Sequence, residues 1–532
     1  MSEHPGILIL HLHAHLPYVR HPEHSSFMEE DWLFEAISET YVPLLISMDR
    51  LMNEDVPFKL SMTLSPPLCE MLDDDLLRTR YAIRLDKLVQ LGEKEIERTN
   101  SDPAMNAAAK FHLQFFKEVR DYWRKVQGDL ISKFRYLQNS GHLEIMTCCA
   151  THGFLPHIAN DEAIRAQLRI AANNYRKHFH RSPNGIWLAE CAYRQGLDEL
   201  LAEEGYSYTF LDAHGILYSE PAPKNGVWGT VRSPSGITFI GRDIESSKQV
   251  WSANEGYPGD PAYREFYRDV GYDREQDYIE PFLHGGGTRH NLGYKYYRIT
   301  GDVQLDEKQP YDPTQAAMTA RQHAENFHFN RTQQFKHLRA HTEGIPVVLA
   351  PYDAELFGHW WFEGPNFLES FMRLVAQYSD QFVLGSGSDA CDKCTEQLAK
   401  PSASSWGAGG YFSVWLNESN QWMYPHLHEG ERRMIRAASC DPASPLHRRI
   451  RDQMGRELLL AQSSDWAFIA TTATTVPYAV RRFREHISAL LTLDEMFHSQ
   501  NPDVQKLEEL EDRHRIFPEI DTSAYTRRPE NG

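Results

Sequence analysis

Cysteine is scarce and unpatterned. The seven residues, Cys69, Cys148, Cys149, Cys191, Cys391, Cys394 and Cys440, are odd in number and lack the spacing of a disulfide framework. Cys391 and Cys394 make one CxxC with no second pair, which is too little for a zinc knuckle. Positive charge is also short. Lys and Arg total 55 against 74 Asp and Glu, a formal net charge of −19, so nucleic acid and anionic membranes are repelled rather than bound. No stretch reaches the roughly 18 apolar residues of a membrane span. The opening MSEHPGILIL has no basic region ahead of its short apolar run, as a secretory signal requires. Internal repeats and low-complexity blocks are missing too. These absences read as a soluble, cytoplasmic protein, a monomer or small homo-oligomer with no nucleic-acid or membrane partner.

What is abundant is aromatic. The 532 residues include 11 Trp, 25 Tyr, 26 Phe and 26 His. Such a composition suits either a large aromatic core or a site that stacks flat apolar faces and hydrogen-bonds hydroxyls. At this length a sizeable core forms without metal or disulfide support.

Seven short apolar runs, at residues 6–10, 58–63, 142–147, 186–189, 208–211, 237–240 and 345–350, lead into or carry polar groups. Among these groups are His11, His13 and His15 after the first run, Glu144 within the third, Glu190 after the fourth, Asp212 and His214 after the fifth, and Asp353 after the last. Helical stretches separate most of the runs, so they predict a parallel α/β sheet. Polar groups gathered past the strand ends predict a barrel with its site at the C-terminal face. Residues 64–141 break the alternation. Phe111, Phe115, Val119, Tyr122, Val126, Leu130, Phe134 and Leu137 recur at three- and four-residue steps, predicting one amphipathic helix, with another over 76–98. Beyond residue 400 the strand pattern ends. A small-residue loop at 402–410 leads to helices expected at 428–438, 444–462 and 476–497 and a polar surface tail after 515.

Glu190 and Asp353 close two of these strands. Paired carboxylates facing one cleft are the equipment of glycoside bond chemistry, one attacking the sugar carbon and the other protonating the leaving oxygen. Burial or mutual repulsion keeps the acid protonated near neutrality. His11, His13 and His15 alternate and so share one face of a strand. That spacing also suits zinc, which makes a zinc-dependent carbohydrate deacetylase the rival from another class, with a non-catalytic glucan-binding protein as a further one.

The ordered segments His13-Ala-His15-Leu-Pro-Tyr18, the Glu144 strand, Trp187-Leu-Ala-Glu190, Pro351-Tyr-Asp353-Ala-Glu-Leu-Phe-Gly-His359-Trp360-Trp361 and Trp406-Gly resemble glycoside hydrolase family 57. Ser404-Ser-Trp406-Gly, Val414-Trp415-Leu-Asn417 and Ser464-Asp465-Trp466 look like its 1,4-α-glucan branching enzymes. The resemblance implies a (β/α)7 barrel over residues 1–400, with 64–141 as a helical insertion, and a helical C-terminal domain over 401–532 that helps wall the glucan cleft. It implies Glu190 as nucleophile, Asp353 as general acid/base, and no cofactor or catalytic metal. His13, His15, Trp32, Arg264, Gly293, Trp360, Trp406, Trp415 and Asp465 are implied to bind an α-1,4-glucan, and Trp422 is a further stacking candidate. Glu144, Asp212 and His214 are candidates for orienting the carboxylates. Trp415 and Trp466 read equally as packing, and of the adjacent Trp360 and Trp361 one is expected to face the cleft.

Two departures bear on the outcome of the reaction. Asn225, in Pro221-Ala-Pro-Lys-Asn225-Gly-Val-Trp228, falls where similar branching enzymes carry a loop tyrosine that shields the intermediate from water, with Trp228 as its possible replacement. Ala473-Thr474 stands where the family usually has Gly-Gln. Water exclusion separates transfer from hydrolysis, so an α-amylase-like hydrolase and a 4-α-glucanotransferase stand beside the branching reading.

Overall fold

All seven apolar runs become parallel strands, and their buried faces on both sides explain why they read as continuous apolar stretches. The computed structural model describes residues 5–252, 255–285, 287–378, 380–394 and 396–526. The strands are β1 (Gly6–Ala14), β2 (Leu60–Leu64), β3 (Leu143–Cys148), β4 (Gly185–Trp187), β5 (Tyr208–Leu211), β6 (Thr238–Gly241) and β7 (Val347–Asp353). Each pairs in parallel with the next from β1 to β6, and β7 returns to β1 in the register Ile7↔Val347 to His13↔Asp353. Between β6 and β7 the circuit closes through one parallel bridge, Arg242 to Leu349, where the Asp243 N–H donates to the Leu349 carbonyl at 2.8 Å. Three strands absent from the sequence reading fill the rim. Thr230–Arg232 runs antiparallel to β6, Glu396–Leu398 pairs with it, and Phe382–Leu384 pairs with the start of β1.

The insertion is helical as expected, but its long helix is two, Pro103–Lys125 and Leu130–Asn139. Gln127 and Gly128 both take positive φ, 54° and 70°, and Asp129 caps the second helix by accepting from the Ser132 N–H. The apolar period runs straight through this break, so periodicity alone could not find it. A second insertion, between helices Ile244–Trp251 and Pro313–His341, had no counterpart in the sequence reading. It is held to the first by side chain-to-backbone bonds rather than by regular elements. Arg84 donates to the carbonyls of Phe282 and Asn291, and Tyr294 Oη donates to that of Leu88.

The C-terminal region contains the helices Tyr424–Ala438, Pro445–Ala461, Ser464–Thr472, Val476–Phe497 and Val504–Arg513. Its tail is not the polar surface segment expected. Ile516, Phe517 and Tyr525 are buried, and Arg456 Nε donates to the Ile516 carbonyl at 2.9 Å, which pins the chain down. The Cys391 and Cys394 thiols stay free, each pushed up to about 12 by burial, which is the reverse of a metal-binding or redox thiolate.

Candidate active site

Trp187 ends β4, and the chain then turns sharply. Glu190 and Cys191 both adopt left-handed backbone, φ 63° and 49°, a conformation that costs of order 1–3 kcal/mol per non-glycine residue and persists only where surroundings enforce it. Here the loop after residue 400 enforces it. The Trp406 N–H donates to the Glu190 carbonyl at 2.9 Å, and Tyr193 and Ser404 form an antiparallel bridge. The turn aims the Glu190 carboxylate at two donors, Trp406 Nε1 on Oε2 at 2.7 Å and Ser464 Oγ on Oε1 at 3.0 Å. Both come from beyond residue 400.

Behind Ser464 stands a chain of histidines. His13 and His152 are buried, and burial pushes both imidazoles well below their usual range, so they are neutral and carry one N–H each. His13 Nδ1 has no partner. A consistent set of bonds follows: His13 Nε2–H donates to His152 Nε2 at 3.0 Å, His152 Nδ1–H to Ser464 Oγ at 2.8 Å, and the Ser464 hydroxyl to Glu190. Trp187 stacks on His13 with ring centroids 4.4 Å apart. His15 stacks on His152 at 3.8 Å and bonds Ser65 and Asp465. Against the upward push of burial, His15, His152 and Ser463 hold the Asp465 carboxyl down at about 2.

The three alternating histidines share one face, yet they do not converge on an ion. His11 lies deeper, with Nδ1 on Ser61 and Nε2 on Thr63, and burial takes it down to about 3. His15, His152 and Asp465 are close enough to one another to share a metal, but both His152 nitrogens are spent on His13 and Ser464. That donor set does not fit a catalytic zinc.

Asp353 ends β7 opposite His13 in the strand register. Arg242 Nη1 donates to Asp212 at 3.2 Å, and its guanidinium lies 5.9 Å from the Trp406 ring. His214 Nδ1 is 3.4 Å from Asp212, and its Nε2 bonds the Gly410 carbonyl at 2.7 Å, so the two polar groups after β5 tie Arg242 and the Trp406 loop together. Burial raises both carboxyls, Glu190 to about 8 and Asp353 to about 6, with His15 and Arg242 opposing it at Asp353. The pair therefore holds one proton near pH 7. In the free cleft these values leave the proton on Glu190. The donors Trp406 and Ser464 oppose the push of burial and favour the Glu190 anion.

The remaining expected residues divide. Trp360 is 53% exposed and stacks on Phe266 at 4.3 Å, while Trp361 is buried. Trp32 meets Tyr478 edge-on at 5.6 Å. Arg264 is buried in an ion pair with Glu39, Nη2 to Oε1 at 3.0 Å, whose other oxygen takes His359. Gly293 has φ 78° beside Phe116, a packing constraint.

Four expectations are corrected, and Trp466 proves to be packing, one of its two readings. Trp415 is packing, buried and stacked on Phe154 at 5.1 Å where barrel meets C-terminal domain. Trp466 is buried too, with Nε1 on the Leu460 carbonyl. Trp422 packs edge-on to Phe483 with Arg484 over its ring. Glu144 sits at the start of β3, bonded to Ser388, at the barrel end opposite Glu190. Asn225 is at that same end: it exchanges two bonds with the Glu343 backbone, while the adjacent Trp228 carbonyl accepts from Val347 at the start of β7. Trp228 Nε1 is committed to Asp243. Ala473 caps its helix at φ 59°, and Thr474 beside it is exposed.

The profile of glycosyl hydrolase family 57 matches residues 9–397. The chain belongs to that family. A second profile, the C-terminal domain of 1,4-alpha-glucan branching enzymes, matches residues 426–525. The family 57 chain is 34% identical to the 1,4-alpha-glucan branching enzyme TK1436 of Thermococcus kodakarensis, over 98% of this chain and 78% of that one. Among solved structures it resembles the alpha-amylase AmyC of Thermotoga maritima, with 43% identity, TM-score 0.93, and 99% and 100% of the two chains covered. It also resembles the family 57 branching enzyme of Pyrococcus horikoshii, with 32% identity, TM-score 0.89, and 99% and 98% covered.

Proposed function

We propose that this chain is a retaining 1,4-α-glucan branching enzyme. The observation that carries the proposal is Glu190, forced into a left-handed turn and held by Trp406 and by Ser464, the latter within the residues 426–525 that match the branching-enzyme C-terminal profile. The Glu190 carboxylate attacks the anomeric carbon while Asp353 gives its proton to the departing glycosidic oxygen, leaving a glycosyl ester and a free chain end. The 6-hydroxyl of a second glucan then loses its proton to Asp353 and attacks the same carbon. An α-1,6 branch forms and Glu190 is released. Trp406 and the exposed Trp360 offer ring faces to the apolar C–H faces of glucose, and a neutral polymer meets no penalty from the −19 charge.

Amylose incubated with the enzyme tests this. Isoamylase-sensitive branches should accumulate with few new reducing ends, and the product anomer, followed by NMR, should keep the α configuration. Reducing ends without branches would leave hydrolysis as the activity. A specific observation favours that second reading, since the loop containing Asn225 lies at the far end of the barrel and AmyC is 43% identical.

A further inference from the structure

Asp31, His284 and His290 meet some way along the chain from the reacting carboxylates, where the helix Asp31–Ala36 packs against the second insertion. Asp31 and His290 are 4% and 6% exposed. His284 Nε2 hydrogen-bonds Asp31 Oδ2 at 2.7 Å, a bond that an ion between them would replace, and His290 Nε2 lies 3.3 Å from the same oxygen. His290 Nδ1 is 3.1 Å from the Thr288 carbonyl, which can only accept, so the ring proton is on Nδ1. Its Nε2 then offers a lone pair, and it faces a carboxylate oxygen that offers another. Two acceptors 3.3 Å apart repel unless a cation lies between them. Neither His290 Nε2 nor Asp31 Oδ1 has any hydrogen-bond partner.

We infer that Asp31, His284 Nε2 and His290 Nε2 form a structural site for a zinc-like divalent ion, with solvent as fourth ligand. Two imidazoles and one carboxylate are a zinc donor set, and an imidazole whose other nitrogen donates to a backbone carbonyl is the usual support for it. Arg84 stands behind the carboxylate, 3.5 Å from Oδ2, and also bonds the Phe282 and Asn291 carbonyls on either side of the two histidines. Its charge opposes the ion. The ion would staple His284 and His290 of the second insertion to the helix Asp31–Ala36.

Untagged protein, stripped with chelator and dialysed, should bind one equivalent of Co(II) with the strong visible absorption of a four-coordinate site, and zinc should displace it. His290→Gln and Asp31→Asn should each weaken this binding at least tenfold, while Asp465→Asn, in the other histidine cluster, leaves it unchanged. A band that survives His290→Gln, or that vanishes with Asp465→Asn, overturns the assignment. Crystals of unmodified protein grown with zinc decide the matter without variants. An anomalous peak about 2.0–2.2 Å from Asp31 and both imidazoles is expected, and a peak only elsewhere, or none, refutes it.

Discussion

At the residue scale, function rests on where one proton sits. In the proposed mechanism, below about pH 6 both carboxyls are protonated and the nucleophile is lost; above about pH 8 both are ionised and the acid is lost. A bell-shaped kcat/KM profile with limbs near those values is therefore expected from the free enzyme. Ser464→Ala removes a donor to the Glu190 anion and cuts the link to His152. Its kcat/KM should fall roughly 10- to 100-fold, as for loss of a hydrogen bond to a charged group. The alkaline limb, which Glu190 sets at about 8, should move up, because the anion is then less favoured. A pH–rate series on the variant checks both, and an unchanged limb with lowered activity would mean that Ser464 only packs. Glu190, Asp353, Asp465 and Trp406 were legible in the sequence because they stand in ordered segments. His152 was not, although it follows β3 as Glu190 follows β4; the rule that polar groups cluster past strand ends would have found it there. Ser464 was quoted within its motif but had no role, since only the three-dimensional turn brings it to Glu190.

At the element scale, strands were readable and irregular chain was not. Every barrel strand is a short apolar run buried on both faces, a local signal. The second insertion is tied by Arg84, Tyr294 and other side chains to backbone carbonyls far away in sequence, bonds that leave no periodic trace. Aromatic residues show the same limit. Trp406 and Trp415 lie in one short stretch with similar flanks, yet one donates to Glu190 and the other fills a seam with Phe154, Ala192 and Ala467. Opposite outcomes follow. Trp415→Ala should destabilise the protein by about 3–5 kcal/mol through lost packing, measured by denaturant unfolding. Trp406→Phe should leave stability within about 0.5 kcal/mol while lowering kcat, because the ring remains and the N–H is gone.

At the scale of the whole molecule, the candidate active site is not a property of the barrel. The seven strands carry the two carboxylates, but the groups that hold Glu190 in its turn and favour its anion, Trp406, Ser404 and Ser464, all belong to chain beyond residue 400. The barrel's polar strand ends are therefore an incomplete site, whatever their likeness to other α/β barrels at the level of fold. A chain ended at residue 400 should show neither branch formation nor new reducing ends from amylose, and it should expose the apolar surface around Phe154, Leu155 and Ile158 that the C-terminal helices cover. Misfolding alone could silence such a fragment, so the full-length Trp406→Phe, Ser464→Ala double variant is the decisive comparison. It should keep a cooperative melt close to that of the parent while losing more activity than either single change. If the double variant stays fully active, the strain at Glu190 is maintained by the barrel itself, and the C-terminal domain serves only to cover its apolar end.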